Sequence, residues 1–315
     1  MKYLCTGGAG FIGSHLVEHL LREFDAHVTV LDGHSDKVIV VDDFSMGKYA
    51  NLPRDPRLEV YDISIMGDID HFFKDIDIVF HLAALTRPQW SIQYPADTNE
   101  INVTGTLKVL EHCRDNKVKK VVFISSSSIY GEQEKYPSKE DDLPNPMSPY
   151  ALSKYIGEEY CVLFEKLYGL KCVRIRPFNP FGIRMNPKGA WAGAVPTFVD
   201  LIKKGLTPTI VGDGEQKRDY VYIDDVVDLI MLAAHSDISC EVFNAGSGTC
   251  ISINDLFNRI CKIMGQKVEP THAPKMYEPL VTLADMNKAT KLLGWKQKIS
   301  LDEGLRMAVE GMMKD

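Results

Sequence analysis

Short apolar runs alternate along the first half of the chain with stretches of helical spacing. Lys2–Thr6, Val38–Val41, Leu58–Tyr61, Ile78–Leu82, Val121–Ile124 and Cys172–Ile175 read as strands. Most are continuous apolar runs rather than alternating ones, the pattern of parallel strands covered on both faces. Between them, Ser14–Leu21 sets Leu16, Val17, Leu20 and Leu21 on one helical face. Helical spacing recurs near 67–74, 97–115 and 148–168. This βα alternation predicts an α/β fold with a doubly wound parallel sheet.

After Arg176 the pattern changes. Residues 177–219 are rich in Pro, Gly and Asn around one amphipathic helix near 195–204, and Ser300–Met313 reads as a closing helix. The expected division is a first domain of 1–176 plus 220–245, and a smaller α/β lobe of 177–219 plus 246–315.

Composition narrows the classes. Of 315 residues, 45% are hydrophobic and 25% charged, which excludes a disordered chain. The net charge of −7 argues against a protein built to grip nucleic acid. No apolar run approaches the ~20 residues of a membrane span. Met1–Cys5 is cut off by Gly7 and Gly8, so no secretory leader is expected. Seven scattered cysteines without a CxxC pair predict reduced thiols and a cytoplasmic protein. The histidines show no metal-spaced set. His15 and His19 are four apart but lack a third ligand, so no metal is expected. His81 reads as a strand residue, and Trp191 and Trp295 as packing.

Thr6-Gly7-Gly8-Ala9-Gly10-Phe11-Ile12-Gly13 follows the first strand and opens a helix. In such a loop the first glycine allows a tight turn and the second lets backbone approach a diphosphate. The third lets helix and strand pack closely. The diphosphate then meets the positive helix N-terminus. Placed between strand and helix, the loop predicts a dinucleotide site in a Rossmann-type domain. A carboxylate at the end of the second strand would hold the adenosine ribose. Two are available: Asp32, after Val28–Leu31, and Asp42, after Val38–Val41. Either favours NAD over NADP, because a carboxylate repels a 2′-phosphate.

Tyr150 and Lys154 are four apart on a predicted helix and share one face. Ser125–Ser128 follow a strand, where ligands bind in such sheets. A cation beside a phenol favours the phenolate. Such a phenol exchanges a proton with a sugar hydroxyl near neutral pH, while a serine hydroxyl holds the same oxygen in line.

These segments together resemble the extended short-chain dehydrogenases/reductases, specifically the nucleotide-sugar epimerases and dehydratases. The motifs are TGGAGFIGSHL (6–16), VDDFSMGKYANL (41–52), HLAA (81–84), SSSSIYG (125–131), YALSK (150–154), RPFNPFG (176–182), GDGEQKRDYVYIDD (212–225) and LADMNKATKLLGW (283–295). The resemblance covers essentially the whole chain.

The resemblance selects Asp42 as the ribose-binding residue, with Asp43 beside it. Asp62 and Ile63 fall at the adenine side, and an insertion lies near 25–37. It implies Tyr150 as acid/base and Ser126 as the catalytic serine. Lys154 would bind the nicotinamide ribose and lower the tyrosine pKa. Gly7, Gly10, Phe11, Ile12, Gly13, Leu82, Ala83, Ala84, Asn102, Ser125 and Pro177 match cofactor-lining positions. Ser126, Ser127, Asn179, Val195, Arg218, Lys275 and Glu278 match substrate contacts, with Arg218 aimed at the diphosphate. An arginine fork suits phosphate oxygens. The alternative for Arg218 is an ion pair with Asp219 or Asp213.

The family's 4,6-dehydratases carry Asp-Glu after the catalytic Ser/Thr, whereas Ser127 and Ser128 stand here. The pattern therefore resembles 4-epimerases, acting on a UDP-hexose through a 4-keto sugar. Arg184–Pro196 resembles a loop of epimerases that accept UDP-N-acetylhexosamines. The resemblance also implies a homodimer through the helices near 97–115 and 148–168. Lys275-Met276-Tyr277-Glu278 departs from the family's Arg-x-Gly-Asp, and Thr86–Trp90 is unusual after HLAA. Arg87 there reads as a surface residue, or else as a partner for a substrate acid group. Competing readings are a net oxidoreductase or decarboxylase, an epimerase of UDP-glucuronate or a CDP- or GDP-sugar, and a silent NAD-binding regulator.

Overall fold

In the computed structural model, which describes residues 1–26, 36–187 and 193–314, six apolar runs form a parallel sheet. Its strands are β1 (Lys2–Thr6), β2 (Lys37–Asp42), β3 (Leu58–Asp62), β4 (Ile78–His81), β5 (Lys120–Ile124) and β6 (Lys171–Pro177). A seventh, β7 (Glu241–Ala245), completes the order β3-β2-β1-β4-β5-β6-β7. The chain reverses direction across the sheet between β1 and β4, the point at which such folds bind ligands. Registers there are Tyr3 to Ile78 and Thr6 to His81.

Helix α1 (Phe11–Ala26) follows β1. A short helix α2 (Pro88–Gln93) lies after β4. The helical run expected near 97–115 is interrupted: α3 (Pro95–Asn99) continues through a π turn at Glu100–Thr104 into α4 (Gly105–Asp115). The run near 67–74 forms only a 3₁₀ turn at Asp70–Phe73, ended by Asp75 with φ 59. Helix α5 (Pro149–Tyr168) starts with Pro at its first position, and the Ser148 hydroxyl accepts from Ala151 N–H. It ends at Gly169 in the left-handed region.

The chain forms two compact units. The first comprises Met1–Ser126, Ser148–Arg176 and Val227–Phe243, and the second Ser127–Met147, Pro177–Val226 and Asn244–Asp315. They differ from the expected division at three places, the smallest being Asn244 and Ala245, which fall in the second unit. Residues 127–147 join the second unit, where Ser138 N–H donates to Leu283 O at 2.7 Å and Tyr130 Oη to Asn244 Oδ1 at 2.7 Å. Residues 220–226 also stay there, because Val221–Tyr222 pairs with Pro180–Phe181.

The first unit's core joins Leu4, Val79, Val121 and Phe123 of the sheet to Val109, Leu110, Cys161 and Phe164 of the helices. In the second unit Lys217–Asp219 pairs with Cys250–Ser252 and Val281–Thr282. Helices α6 (Ala194–Lys203) and α7 (Ile253–Met264) pack through an edge-on Phe198–Phe257 pair at 5.3 Å. Trp295 is buried and donates to Asp225 O at 3.0 Å, a packing role as expected. Val28–Leu31, Asp32 and Trp191 lie outside the described residues.

Candidate active site

The glycine loop is tight for stated reasons. Gly7 has φ 72, and a Cβ there would lie 2.6 Å from Ala83 N. At Gly13 a Cβ would sit 2.3 Å from Gly7 O, so the helix packs directly on the loop. Gly8 is a third such position, where a Cβ would meet the Val40 side chain at 2.8 Å. Gly10 differs: its Cβ would meet only Gly7 O, at 3.2 Å. Protein packing demands glycine least there, which leaves that face of the loop open for a ligand to approach.

Asp42 ends β2 almost fully buried. One carboxylate oxygen accepts Ala9 N–H of the loop at 2.9 Å, and the other accepts Phe44 N–H at 2.8 Å. Burial raises its pKa above the ordinary carboxylate value, the two amides pull it down, and Asp43 and Asp62 push it up. Asp62 is the register partner of Asp42 and is exposed, and Ile63 N–H donates to Asp42 O at 3.1 Å. Asp43 accepts from Ser45 N–H at 3.0 Å.

Across the sheet reversal, Leu82 N–H donates to Thr6 O at 3.0 Å. His81 is buried and bonded on both ring nitrogens, Nδ1 to Thr6 Oγ1 at 2.7 Å and Nε2 to Thr106 Oγ1 at 2.9 Å. The Thr106 hydroxyl donates to Asn102 O at 2.6 Å. Its oxygen therefore accepts from Nε2–H, which assigns the neutral tautomer to His81. Burial pulls its pKa down to about 3, and Lys154 adds to the effect.

Ser126, Tyr150 and Lys154 come together in the first unit. The Ser126 hydroxyl is hydrogen-bonded to the Tyr150 phenol. Lys154 is buried one turn along α5, its Nζ donating to Ile124 O at 2.9 Å and lying 5.0 Å from the Phe123 ring centre. Burial lowers its pKa to about 8, opposed by Cys161 and Glu158. Burial raises the Tyr150 pKa, and Ser126 is the group that opposes it. This differs from the expected lowering by Lys154, because removing a phenol from water disfavours its anion. Ser125 Oγ, beside Ser126, is buried without a hydrogen-bond partner. Asn102, in the π turn, exchanges two hydrogen bonds with the Leu85 backbone at 2.8 and 3.0 Å, and donates to Ser153 Oγ at 3.0 Å. Beneath Lys154 on the same helix, Glu158 forms a buried two-point ion pair with Arg176 at 2.7 and 2.8 Å.

In the second unit, Asn179 has φ 36 and donates to Asp219 O at 2.8 Å and Thr282 Oγ1 at 3.1 Å. Asp219 is fully buried and accepts from Ser247, Gly248 and Ala284 N–H groups, which anchors the strand carrying Arg218. Arg218 pairs with Glu278 at 2.9 Å rather than with Asp219 or Asp213. Lys275 is exposed, and Tyr277 is 74% exposed. Val195 is buried on α6, Ser127 opens a 3₁₀ turn, and Pro177 closes β6. Arg87 precedes α2 and is half-buried. Sequence reading passed over Ser91, Ser153 and Glu158, and offered Asp219 only as an ion-pair partner for Arg218. Only the spacing of Glu158, four beyond Lys154, was a signal. Among the described residues, no group of three or more His, Cys, Asp or Glu is placed to hold a metal ion.

Residues 3–246 match the NAD dependent epimerase/dehydratase family. The chain belongs to this family: it is an NAD-dependent enzyme of the extended short-chain dehydrogenase/reductase type. It is 36% identical to the UDP-glucose 4-epimerase of Mycolicibacterium smegmatis, over 98% of each chain. Its fold matches the UDP-glucose 4-epimerase of Thermotoga maritima, solved with UDP-glucose, at a TM-score of 0.93 and 38% identity. That match covers 100% of this chain and 99% of the other. A UDP-N-acetylglucosamine 4-epimerase from Methanobrevibacter ruminantium, in complex with UDP-N-acetylmuramic acid, matches at 0.92 and 34% identity. It covers 99% of this chain and 98% of the other.

Proposed function

We propose that this chain is a nucleotide-sugar 4-epimerase acting on a UDP-hexose. The observation that carries the reading is the hydrogen bond between Ser126 and the buried Tyr150 phenol, with Lys154 one turn along the same helix. The names of its relatives support the substrate class.

NAD, when bound, would supply the reversible hydride acceptor through which C4 of the sugar can be oxidised and then reduced from the opposite face. The residues present fit it. The open face at Gly10 suits a diphosphate, with Gly7, Phe11, Ile12 and Gly13 shaping the loop. Asp42 has lone pairs beyond its two amide bonds for the adenosine ribose, with Asp43, Asp62 and Ile63 at the adenine side. Ser125 Oγ is a buried polar atom lacking a partner. Leu82, Ala83, Ala84, Asn102 and Pro177 line the remainder, and Lys154 binds the nicotinamide ribose.

Tyr150 takes the proton of the C4 hydroxyl and gives it back to the 4-keto sugar's oxygen. Ser126 bonds the same oxygen and holds it in line. Burial alone makes Tyr150 a weak acid, and the hydrogen bond from Ser126 is what favours its phenolate. Arg218 and Lys275 bind the diphosphate, Glu278 the nucleotide ribose, and Asn179, Ser127 and Val195 the sugar. Both Asn179 amide hydrogens are used within its unit, which reserves its oxygen as an acceptor.

The protein is further proposed to be a cytoplasmic homodimer. All seven cysteines are free. No helix among the described residues is long and apolar enough to cross a membrane. Leu152, Leu163 and Leu167 of α5 are 47, 47 and 67% exposed, an apolar face for a second copy. Sedimentation of the purified protein tests this, and a monomer overturns it.

Proton NMR of the NAD-loaded protein with UDP-glucose, UDP-N-acetylglucosamine or UDP-glucuronate tests the reaction. Anomeric signals of the C4 epimer, reached without NADH accumulation, are expected. No new signal in any tube overturns the UDP-sugar assignment, and accumulating NADH points to a net oxidoreductase.

A further inference from the structure

Tyr150 is held by its main chain as well as by its phenol. At the start of α5, Pro149 has no N–H, Ala151 N–H is taken by the Ser148 hydroxyl at 3.1 Å, and Leu152 N–H by Ser148 O at 3.0 Å. Helix geometry leaves the Tyr150 N–H without a partner inside the helix. It donates instead to Ser91 Oγ at 3.0 Å, and the Ser91 hydroxyl in turn donates to Pro88 O at 2.5 Å. On the other side, Tyr150 O accepts from the Ser153 hydroxyl at 2.8 Å, and Ser153 Oγ accepts from Asn102 Nδ2. Ser91, Asn102 and Ser153 are all buried, at 1, 1 and 3% exposure. Asn102 is itself locked to the Leu85 backbone. Both relays thus end on the same segment, residues 85–91, which follows β4.

We propose that Ser91 is a positioning residue for Tyr150: its hydroxyl ties the segment after β4 to the peptide that carries the phenol. This rests on the reading of Tyr150 as acid/base. Ser91 itself touches no reacting atom. Its effect is to fix where the phenol oxygen stands relative to Ser126, and small displacements of a reacting group are costly.

The test compares Ser91→Ala, Ser91→Thr, Ser148→Ala and Tyr150→Phe by kcat, KM and melting temperature. Ser91→Ala is expected to lower kcat about 10-fold with KM changed less than about twofold, as for a group displaced from its transition-state position. Ser91→Thr, which keeps the hydroxyl, is expected to restore most of kcat. Ser148→Ala removes the ordinary cap of the same helix and is expected to lower the melting temperature while kcat stays within about twofold. If Ser91→Ala does not fold, Ser91→Thr against Ser91→Cys gives the same contrast, because sulfur accepts poorly. The proposal is overturned if Ser91→Ala keeps parental kcat, if threonine fails to restore a loss, or if Ser148→Ala loses as much kcat. Tyr150→Phe separates the two ideas. Its retention of turnover sinks the acid/base reading, whereas its inactivity with normal Ser91→Ala kinetics sinks only the positioning role.

Discussion

Gly157 of α5 meets the Phe123 ring of β5 so closely that a Cβ at 157 would lie 2.6 Å from the ring's tip. The same ring lies 5.0 Å from the Lys154 ammonium, one turn earlier on the helix. The contact sets the distance between helix and strand where the ammonium reaches Ile124 O. Gly157→Ala is therefore expected to cost about 1–3 kcal/mol in urea unfolding, the range for an overpacked core. It should also lower turnover, and Phe123→Leu in the same chain should recover part of the stability. Unchanged stability of the single variant would show that the helix can retreat freely.

His81 links folding to pH. Its folded pKa, about 3, lies below the ordinary value of 6.5, so the fold favours the neutral ring. Its contribution is fully present above 6.5 and is lost as pH falls from 6.5 toward 3. Stability should fall by up to ~1.4 kcal/mol per pH unit in that window, one proton's worth. Denaturant melts at pH 6.5, 5.8 and 5 should show the slope, most clearly before carboxylates titrate. His81→Gln should be less stable at neutral pH yet show a shallower slope. An equal slope in both proteins would assign the loss elsewhere.

Lys154 predicts a basic limit to activity. With its pKa pulled to about 8, it loses its charge on going from neutral to alkaline pH. Since kcat/KM reports the free enzyme, that parameter should decline above about pH 8. It should approach a tenfold fall per pH unit if the charged form alone is active. A profile flat to pH 9.5 would contradict this assignment.

Arg218 sits 8% exposed with its guanidinium against Glu278. Arg218→Ala should raise KM for the nucleotide sugar about 10–100-fold with kcat changed little, the signature of lost ground-state binding. Arg218→Lys should recover only part, because an ammonium lacks the two-point fork. A loss confined to kcat would remove Arg218 from the diphosphate.

Much of this molecule was readable from residue order. Strands buried on both faces show up as unbroken apolar runs, which made β1, β2, β4 and β5 legible, whereas β3 is a half-exposed edge strand interrupted by Glu59 and β6 carries Arg174 within its run. Tyr150 and Lys154 declared their shared face by spacing, and the glycine loop by its place between strand and helix. What stayed hidden depends on partners distant in sequence. The π turn at Glu100–Thr104 carries Asn102, whose amide is fixed by Leu85. The Arg218 partner is Glu278 rather than a neighbouring aspartate because Asp219 turns inward to four donors from Ser247, Gly248 and Ala284. Residues 127–147 read as a continuation of the first domain until Ser138 and Tyr130 are seen bonded to Leu283 and Asn244. Ser91 carries no local signal, since its value lies in the N–H of a residue on another helix.

Thr6 has a consequence for how the sheet breathes. Its carbonyl receives Leu82 N–H, its hydroxyl meets His81, and the next amide, Gly7 N–H, donates to Val41 O at 2.8 Å. Opening of the glycine loop and of the end of β4 is therefore expected to be coupled through Thr6. In amide deuteration, Gly7 and Leu82 should exchange together, as one cooperative unit governed by a single opening equilibrium.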